Sequence, residues 1–190
     1  RTSSSAASDV YKRQILGASG VGKTTFLHLL SGLLKPLEGE IDLIGTPISK
    51  LTMSEMDRFR GKNIGIVFQK PHFINSLTVK ENLQLAQYIS KKIDKTRISS
   101  LLESLGIEDK ANKKTLNLSQ GEKQRVAIAL AIVNSPKLIL ADEPTSSLDD
   151  LNCNKVINLL KNQAAKYKAK LIIITHDYRL KKHFKNTLSL

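Results

Sequence analysis

The spacing Gly17-x-x-x-x-Gly22-Lys23-Thr24, inside ILGASGVGKTT, constrains this chain more than any other feature. Glycines at its ends free the backbone to curl, so that successive N–H groups converge on one anion. Such a loop works when a buried strand leads in and a helix leads out, because the helix adds its positive N-terminus beneath the anion. Ile15–Leu16 read as the end of that strand. Phe26, Leu27, Leu30 and Leu33 fall at helical spacing over Lys23–Leu34. The candidate phosphate cradle is therefore Gly17, Ala18, Ser19, Gly20, Val21, Gly22, Lys23, Thr24 and Thr25. Lys23 would reach the β and γ oxygens, and the Thr24 hydroxyl would ligate Mg²⁺.

The rest of the chain alternates. Gly39–Ile48 has strand and turn character. Asn63–Phe68, Lys137–Ala141 and Leu171–Thr175 read as short buried strands. Val79–Ser90, Lys95–Leu105, Val126–Val133 and Val156–Lys168 read as helices. Strands alternating with helices predict an α/β fold with a mostly parallel sheet covered on both faces. The polar helical stretch of about 71–118 reads as an insertion in that core. Residues 1–14 fit nothing after them, and VYKRQ is a poor buried strand. That segment is expected to be a non-native or disordered leader, with one α/β domain over 15–190 whose first strand is truncated.

Composition narrows the class. A chain of 190 residues with 41% hydrophobic and 25% charged residues can bury one core. Its apolar runs, such as Leu171–Ile174, are too short to span a bilayer, so any membrane role goes through a partner. The single cysteine, Cys153, has no internal disulfide partner, which fits a reducing compartment. The net charge of +13 comes mostly from lysine, whereas readers of base edges lean on arginine. Nucleic acid is not an expected partner.

Four further segments carry chemistry, and a fifth offers a surface. KLILADEP, Lys137–Pro144, is an apolar strand ending in two carboxylates, and α/β sheets gather ligands at that end. Asp142 is placed to hold Mg²⁺ through water, and Glu143 to act as general base on the attacking water. IIITHD repeats the geometry and puts His176 where it can touch a γ-phosphate. GIVFQ ends in Gln69, whose amide can bind Mg²⁺ or the water. Leu118, Ser119, Gln120 and Gly121 read as a small polar loop before a helix, a second place suited to an anion. Phe73, Ile74 and Leu77 form an apolar group beside Gln69 and read as a docking surface.

These pieces, in this order, resemble the ATP-binding subunit of ABC transporters. LSQGE resembles that family's signature, and SSLD its D-loop. LTMSEMDRFRGKNIGIVFQ and ADEPTSSLD resemble the lipoprotein-release and macrolide-export branch. The resemblance implies ATP and Mg²⁺ as cofactors, ATP hydrolysis coupled to transport, and a head-to-tail homodimer. In that dimer Ser119, Gln120 and Gly121 serve the partner's ATP. It also implies integral membrane permease subunits and a peripheral place on the cytoplasmic face of the membrane. Gln120 and Glu122 stand where Gly and Gln are commoner, and Leu130 where Arg is usual. The adenine-stacking aromatic of the family lies upstream of the phosphate loop, and Tyr11 is too close to Gly17 to replace it. A soluble DNA-repair ATPase is the alternative, but neither a long coiled coil nor a zinc insertion is present to support it.

Overall fold

The apolar runs become the inner strands of one parallel sheet. The computed structural model describes residues 12–18, 20–91, 93–146 and 148–189. Ser19, Ser147 and residues 1–11, with Tyr11 and most of the expected leader, lie outside the described residues. In chain order the elements begin with strand β1 (Lys12–Leu16), helix α1 (Lys23–Leu30) and a short hairpin of β2 (Asp42–Leu43) and β3 (Thr46–Pro47). Helix α2 (Met53–Asn63), strand β4 (Ile64–Val67) and helices α3 (Val79–Ile89), α4 (Lys95–Ser104) and α5 (Gln120–Ile132) follow. Strand β5 (Leu138–Asp142), helix α6 (Asp150–Lys166) and strands β6 (Lys170–Thr175) and β7 (Asn186–Ser189) complete the order.

The sheet order is β4-β5-β6-β1-β7, and every pairing in it is parallel. Alternation along the central strands feeds two apolar layers. Leu138 and Leu140 of β5 and Ile174 of β6 pack with Leu27 and Met56 on one face. Ile139 and Ala141, with Leu171 and Ile173, pack against α5 and α6 on the other. Segment 71–118 contains α3 and α4. Their buried Val79, Leu83, Ile98, Leu101 and Leu102 run into that second layer without a break.

Several expected boundaries move, each for a local reason. Helix α1 stops at Leu30 rather than Leu34. Gly32 takes φ 66°, and the Leu33 N–H reaches back to the His28 carbonyl at 2.9 Å, a Schellman closure. A Cβ on Gly32 would lie 2.3 Å from Met56 Cε, so α2 packs here only against glycine. Helix α5 starts at Gln120, six residues before the expected Val126, because Ser119 and Glu122 form a capping box. Helix α6 likewise starts at Asp150 with Asp149 as N-cap, not at Val156. Helix α2, within a stretch given no helix in the sequence reading, is capped the same way by Thr52 and Glu55.

Strand β1 begins at Lys12, not at Ile15. It pairs with both β6 and β7 and carries Gln14 into the interior. Both polar atoms of the Gln14 amide are buried without a hydrogen-bond partner. An amide buried unpaired costs about 1–3 kcal/mol. Gln14→Val should therefore raise the melting temperature by a few degrees, since ~1 kcal/mol corresponds to ~2–4 °C in a domain of this size. An unchanged or lower value in a thermal melt would show that the amide is satisfied in solution.

Candidate active site

Parallel pairing puts the C-terminal ends of β1, β6 and β5 on one edge of the sheet, and the candidate side chains meet there. Gly20 and Gly22 hold φ 88° and 91°, which lets the loop between β1 and α1 curl. Lys23 is buried. Its Nζ donates to the carbonyls of Gly17 at 2.8 Å and Ala18 at 2.7 Å, so the ammonium sits inside the curl. Val21, Thr24 and Thr25 are exposed on the outer side of the turn.

Thr24 Oγ1 donates to Asp142 Oδ2 at 3.1 Å, joining residues far apart in sequence. Asp142 is buried, and its second oxygen, Oδ1, has no hydrogen-bond partner. Burial pushes the Asp142 carboxyl up from its ordinary range. The Thr24 hydroxyl pulls it down, and the neighbouring Glu143 charge raises it again. An orphaned carboxylate oxygen beside a hydroxyl fits a hard cation shared with phosphate and water. Among the described residues, no three His, Cys, Asp or Glu side chains gather as a metal cluster.

Glu143 follows at the strand end with φ 46°, a left-handed conformation that costs a non-glycine residue about 1–3 kcal/mol. Its N–H donates to the Ile174 carbonyl at 2.8 Å, which locks the residue onto β6. The carboxylate is held on three sides. Oε2 accepts from the Thr175 hydroxyl at 2.8 Å. Oε1 accepts from the His176 N–H at 2.9 Å and lies 2.7 Å from His176 Nδ1. The His176 side chain is half exposed, facing the open edge of the sheet.

The other candidates lie elsewhere. Gln69 is exposed, and its amide is 3.5 Å from Ser146 Oγ; among the described residues no hydrogen bond joins it to Thr24 or Asp142. Ser119 caps α5. Gln120 and Gly121 are already in its first turn rather than in a loop. No hydrogen bond joins these three to the phosphate loop of the same chain among the described residues. Glu122 closes the capping box through its 2.7 Å bond from the Ser119 N–H. That bond, the Ser119 hydroxyl and Lys110 at 3.2 Å together lower its carboxyl to about 2. Behind the cap, Gln124 Nε2 donates to the Pro144 carbonyl at 3.2 Å, tying α5 to the turn that carries Glu143. Ser146 lies in the D-loop-like SSLD, but its contact with Gln69 has no local signal. Thr175 is detectable as the strand residue before His176, and Gln124 only through the turn that the fold lays beside it.

A parallel sheet with a glycine-rich loop, a lysine and a threonine after β1 and two carboxylates at the end of β5, with β6 between them, is the arrangement of a P-loop nucleoside triphosphatase. The sequence profile described as "ABC transporter" matches residues 8–146, and the chain belongs to the ABC transporter family. The lipoprotein-releasing system ATP-binding protein LolD of Buchnera aphidicola subsp. Acyrthosiphon pisum (strain APS) is 42% identical over 166 residues, covering 86% of this chain and 73% of that protein. The dimeric structure of MJ0796, a bacterial ABC transporter cassette, matches with TM-score 0.84 at 34% identity, covering 94% of this chain and 80% of that one. A dimer of the same cassette in a post-hydrolysis state, bound to ADP and Pi, matches with TM-score 0.83 at 33% identity, over 94% of this chain and 80% of that one.

The raised Asp142 carboxyl carries a stability cost of known sign. Its folded form binds the proton more readily than the unfolded chain, so the fold loses stability as pH rises above the ordinary carboxylate value of about 4. Asp142→Asn should raise the melting temperature, more at pH 7 than at pH 4, while ATP turnover is lost. A variant that melts lower at pH 7 would contradict the burial penalty.

Proposed function

We propose that this chain hydrolyses Mg²⁺-bound ATP to drive an ABC transporter of the lipoprotein-release type. It would work as a head-to-tail homodimer bound to integral membrane permease subunits on the cytoplasmic face of the membrane. The observation that carries the site reading is the buried, unpartnered Asp142 Oδ1 beside Thr24 Oγ1, one strand away from the Lys23 ammonium. The resemblance to LolD supports lipoprotein release over other transported cargo. The dimeric cassette relative supports pairing of two copies. Among the described residues no helix is long and apolar enough to cross a membrane, in keeping with a peripheral subunit.

In this reading the loop N–H groups and Lys23 bind the β and γ oxygens, and Thr24 and Asp142 hold Mg²⁺, which neutralises charge on the phosphates. Glu143 takes the proton of the attacking water at a carboxylate oxygen. The Thr175 and His176 donors orient that carboxylate, and His176 reaches the γ-phosphate from the same edge. Gln69 stands as the amide that meets Mg²⁺ or the water from the side of segment 71–118. Ser119, Gln120 and Gly121 offer the N-terminus of α5 to the ATP of the partner. Glu143→Gln should lower turnover by about 10²–10⁴-fold and leave ATP-stabilised dimers visible by light scattering. Adding Ser119→Arg should abolish those dimers. Parent-level turnover in Glu143→Gln would remove Glu143 as the base, and normal dimers with Ser119→Arg would remove the shared site.

The coupling surface needs one correction. Phe73 is half-buried against the second core layer, and Leu77 is half-buried too; of the three apolar residues only Ile74 is exposed. Pro71, His72 and Phe73 instead form one wall of a hollow of about 240 Å³, closed by Gly65, Ile66 and Leu130. Ile74, next to Phe73 in the chain but not in the lining, is held by the Asn82 side chain, which bonds both its N–H at 2.9 Å and its carbonyl at 3.2 Å. A short helix of the permease fits this apolar hollow, with Leu130 supplying a methyl-lined floor. Leu130→Glu with Ile74→Ser should release the chain from permease-containing membranes in a flotation assay, while ATP turnover of the free chain stays within about twofold. Retained binding would place the dock elsewhere.

A further inference from the structure

A closed ring of hydrogen bonds links Glu143 to a residue that the catalytic reading does not use. The Arg179 guanidinium forks onto Asp177, with Nε 2.8 Å from Oδ1 and one terminal nitrogen 2.7 Å from Oδ2. Its other terminal nitrogen is 2.5 Å from Asp150 Oδ1, and the first also reaches the Leu148 carbonyl at 3.3 Å. Arg179 therefore spans from the start of α6 to the turn after β6.

Asp177 is the joint. Its Oδ2 also accepts the Thr145 hydroxyl at 3.1 Å, and its own N–H donates to Thr175 Oγ1 at 2.9 Å. The same Thr175 hydroxyl donates to Glu143 Oε2. Between Thr175 and Asp177 sits His176, with its N–H and ring on Glu143 Oε1. The path runs Glu143, Thr175, Asp177, Arg179, Leu148 and Asp150, and back along the 143–150 turn. That turn is itself tied by Ser146 N–H to the Glu143 carbonyl and by Leu148 N–H to the Thr145 carbonyl. Thr145 and Thr175 are fully buried, so within this ring the bonds at its centre have no water to replace them. The outer members are exposed: Arg179 by 40% and Asp150 by 80%. The arm to Asp150 is an exposed ion pair and adds little to global stability. The Asp177 side chain is only 9% exposed, so the fork also pairs a nearly buried carboxylate, and the arginine supplies both that charge and the geometry. A planar fork fixes two turns at a set spacing in a way that a point charge does not.

We propose that Arg179 is a positioning residue for hydrolysis. Its guanidinium braces the 143–150 turn against the 175–177 turn and so sets the direction of the Glu143 carboxylate and of His176. This rests on Glu143 being the base. Misplacement of a base costs rate rather than substrate affinity, because the phosphate loop that binds ATP is outside the ring.

Steady-state ATP turnover of the full chain tests this, with melting curves alongside. Arg179→Gln should lower kcat about tenfold, leave KM for ATP within about twofold and lower the melting temperature by several degrees, since the nearly buried Asp177 carboxylate loses its cation. Arg179→Lys, which keeps the charge but loses the fork, should fall between the two. Asp150→Asn cuts only the exposed arm and should cost about threefold. Combined with Arg179→Gln it should cost nothing more, since one brace is removed twice. A kcat within twofold of the parent in Arg179→Gln overturns the proposal, as does a parallel loss in KM. Should Arg179→Gln fail to fold, Asp150→Asn decides by itself: parent-level kcat there overturns the brace. Parent-level turnover in Glu143→Gln would instead overturn the reading of the base, a separate outcome from the same assay.

Discussion

The parallel register of β5, β6 and β1 is what every other feature of the site depends on. Pairing Asp142 with Ile174, and Leu16 with Thr175, brings three strand ends to one level. Only at that level can the hydroxyl of Thr24, at the start of α1, meet a carboxylate from β5. A slip by one residue would turn Asp142 into an apolar layer and Ala141 toward the loop. The register holds because alternating side chains on β5 and β6 fill two different layers, so any slip would break both at once.

The same burial that fixes the register loads the site with unfavourable terms. Asp142 is desolvated and half-unpartnered, and Glu143 sits in a left-handed backbone conformation next to it. Each is a local cost that the surrounding sheet tolerates because the strands cannot relax independently. Both residues stand at the strand end beside the glycine-rich loop, one with a carboxylate oxygen that has no hydrogen-bond partner and the other with a carboxylate held by the Thr175 hydroxyl and the His176 N–H.

Helix α5 is the mechanical link in this arrangement. Its N-terminus carries Ser119. Its flank holds the catalytic turn through Gln124 and the segment 71–118 through Arg125, whose guanidinium reaches the Leu105 carbonyl at 2.9 Å. Its C-terminal carbonyls at Ile132 and Val133 are gripped by Arg97 of α4 at 2.8 and 2.5 Å, and Arg97 stacks on Tyr167. Because Gly65 of β4 has no side chain, the Ala131 carbonyl of α5 approaches the strand closely. A Cβ there would lie 1.9 Å from that oxygen. Segment 71–118, α5 and the turn of Glu143 are thus joined by one continuous set of contacts.

The sequence by itself determined the α/β class, the phosphate loop, the carboxylate pair and the family. Each rests on short-range spacing: a glycine-rich turn, a strand of Leu, Ile and Ala, a Leu-Ser-Gln-Gly-Glu loop. It also contained signals that went unread, above all the Thr-x-x-Glu and Ser-x-x-Glu boxes that start α2 and α5. Strand β7 left no apolar pattern, because an exposed edge strand is defined by its neighbour β1 rather than by its own side chains. Which residues hold Glu143, which groups Arg179 bonds, that Phe73 packs inward and that Gln14 is buried unpaired were decided only by tertiary structure. Those facts depend on which strand ends and turns meet, from the 29 residues between Asp150 and Arg179 and the 32 between Glu143 and Thr175 to the pairing of β1 with β6 near the other end of the chain, and no local spacing encodes the distance between segments that only the assembled sheet brings together.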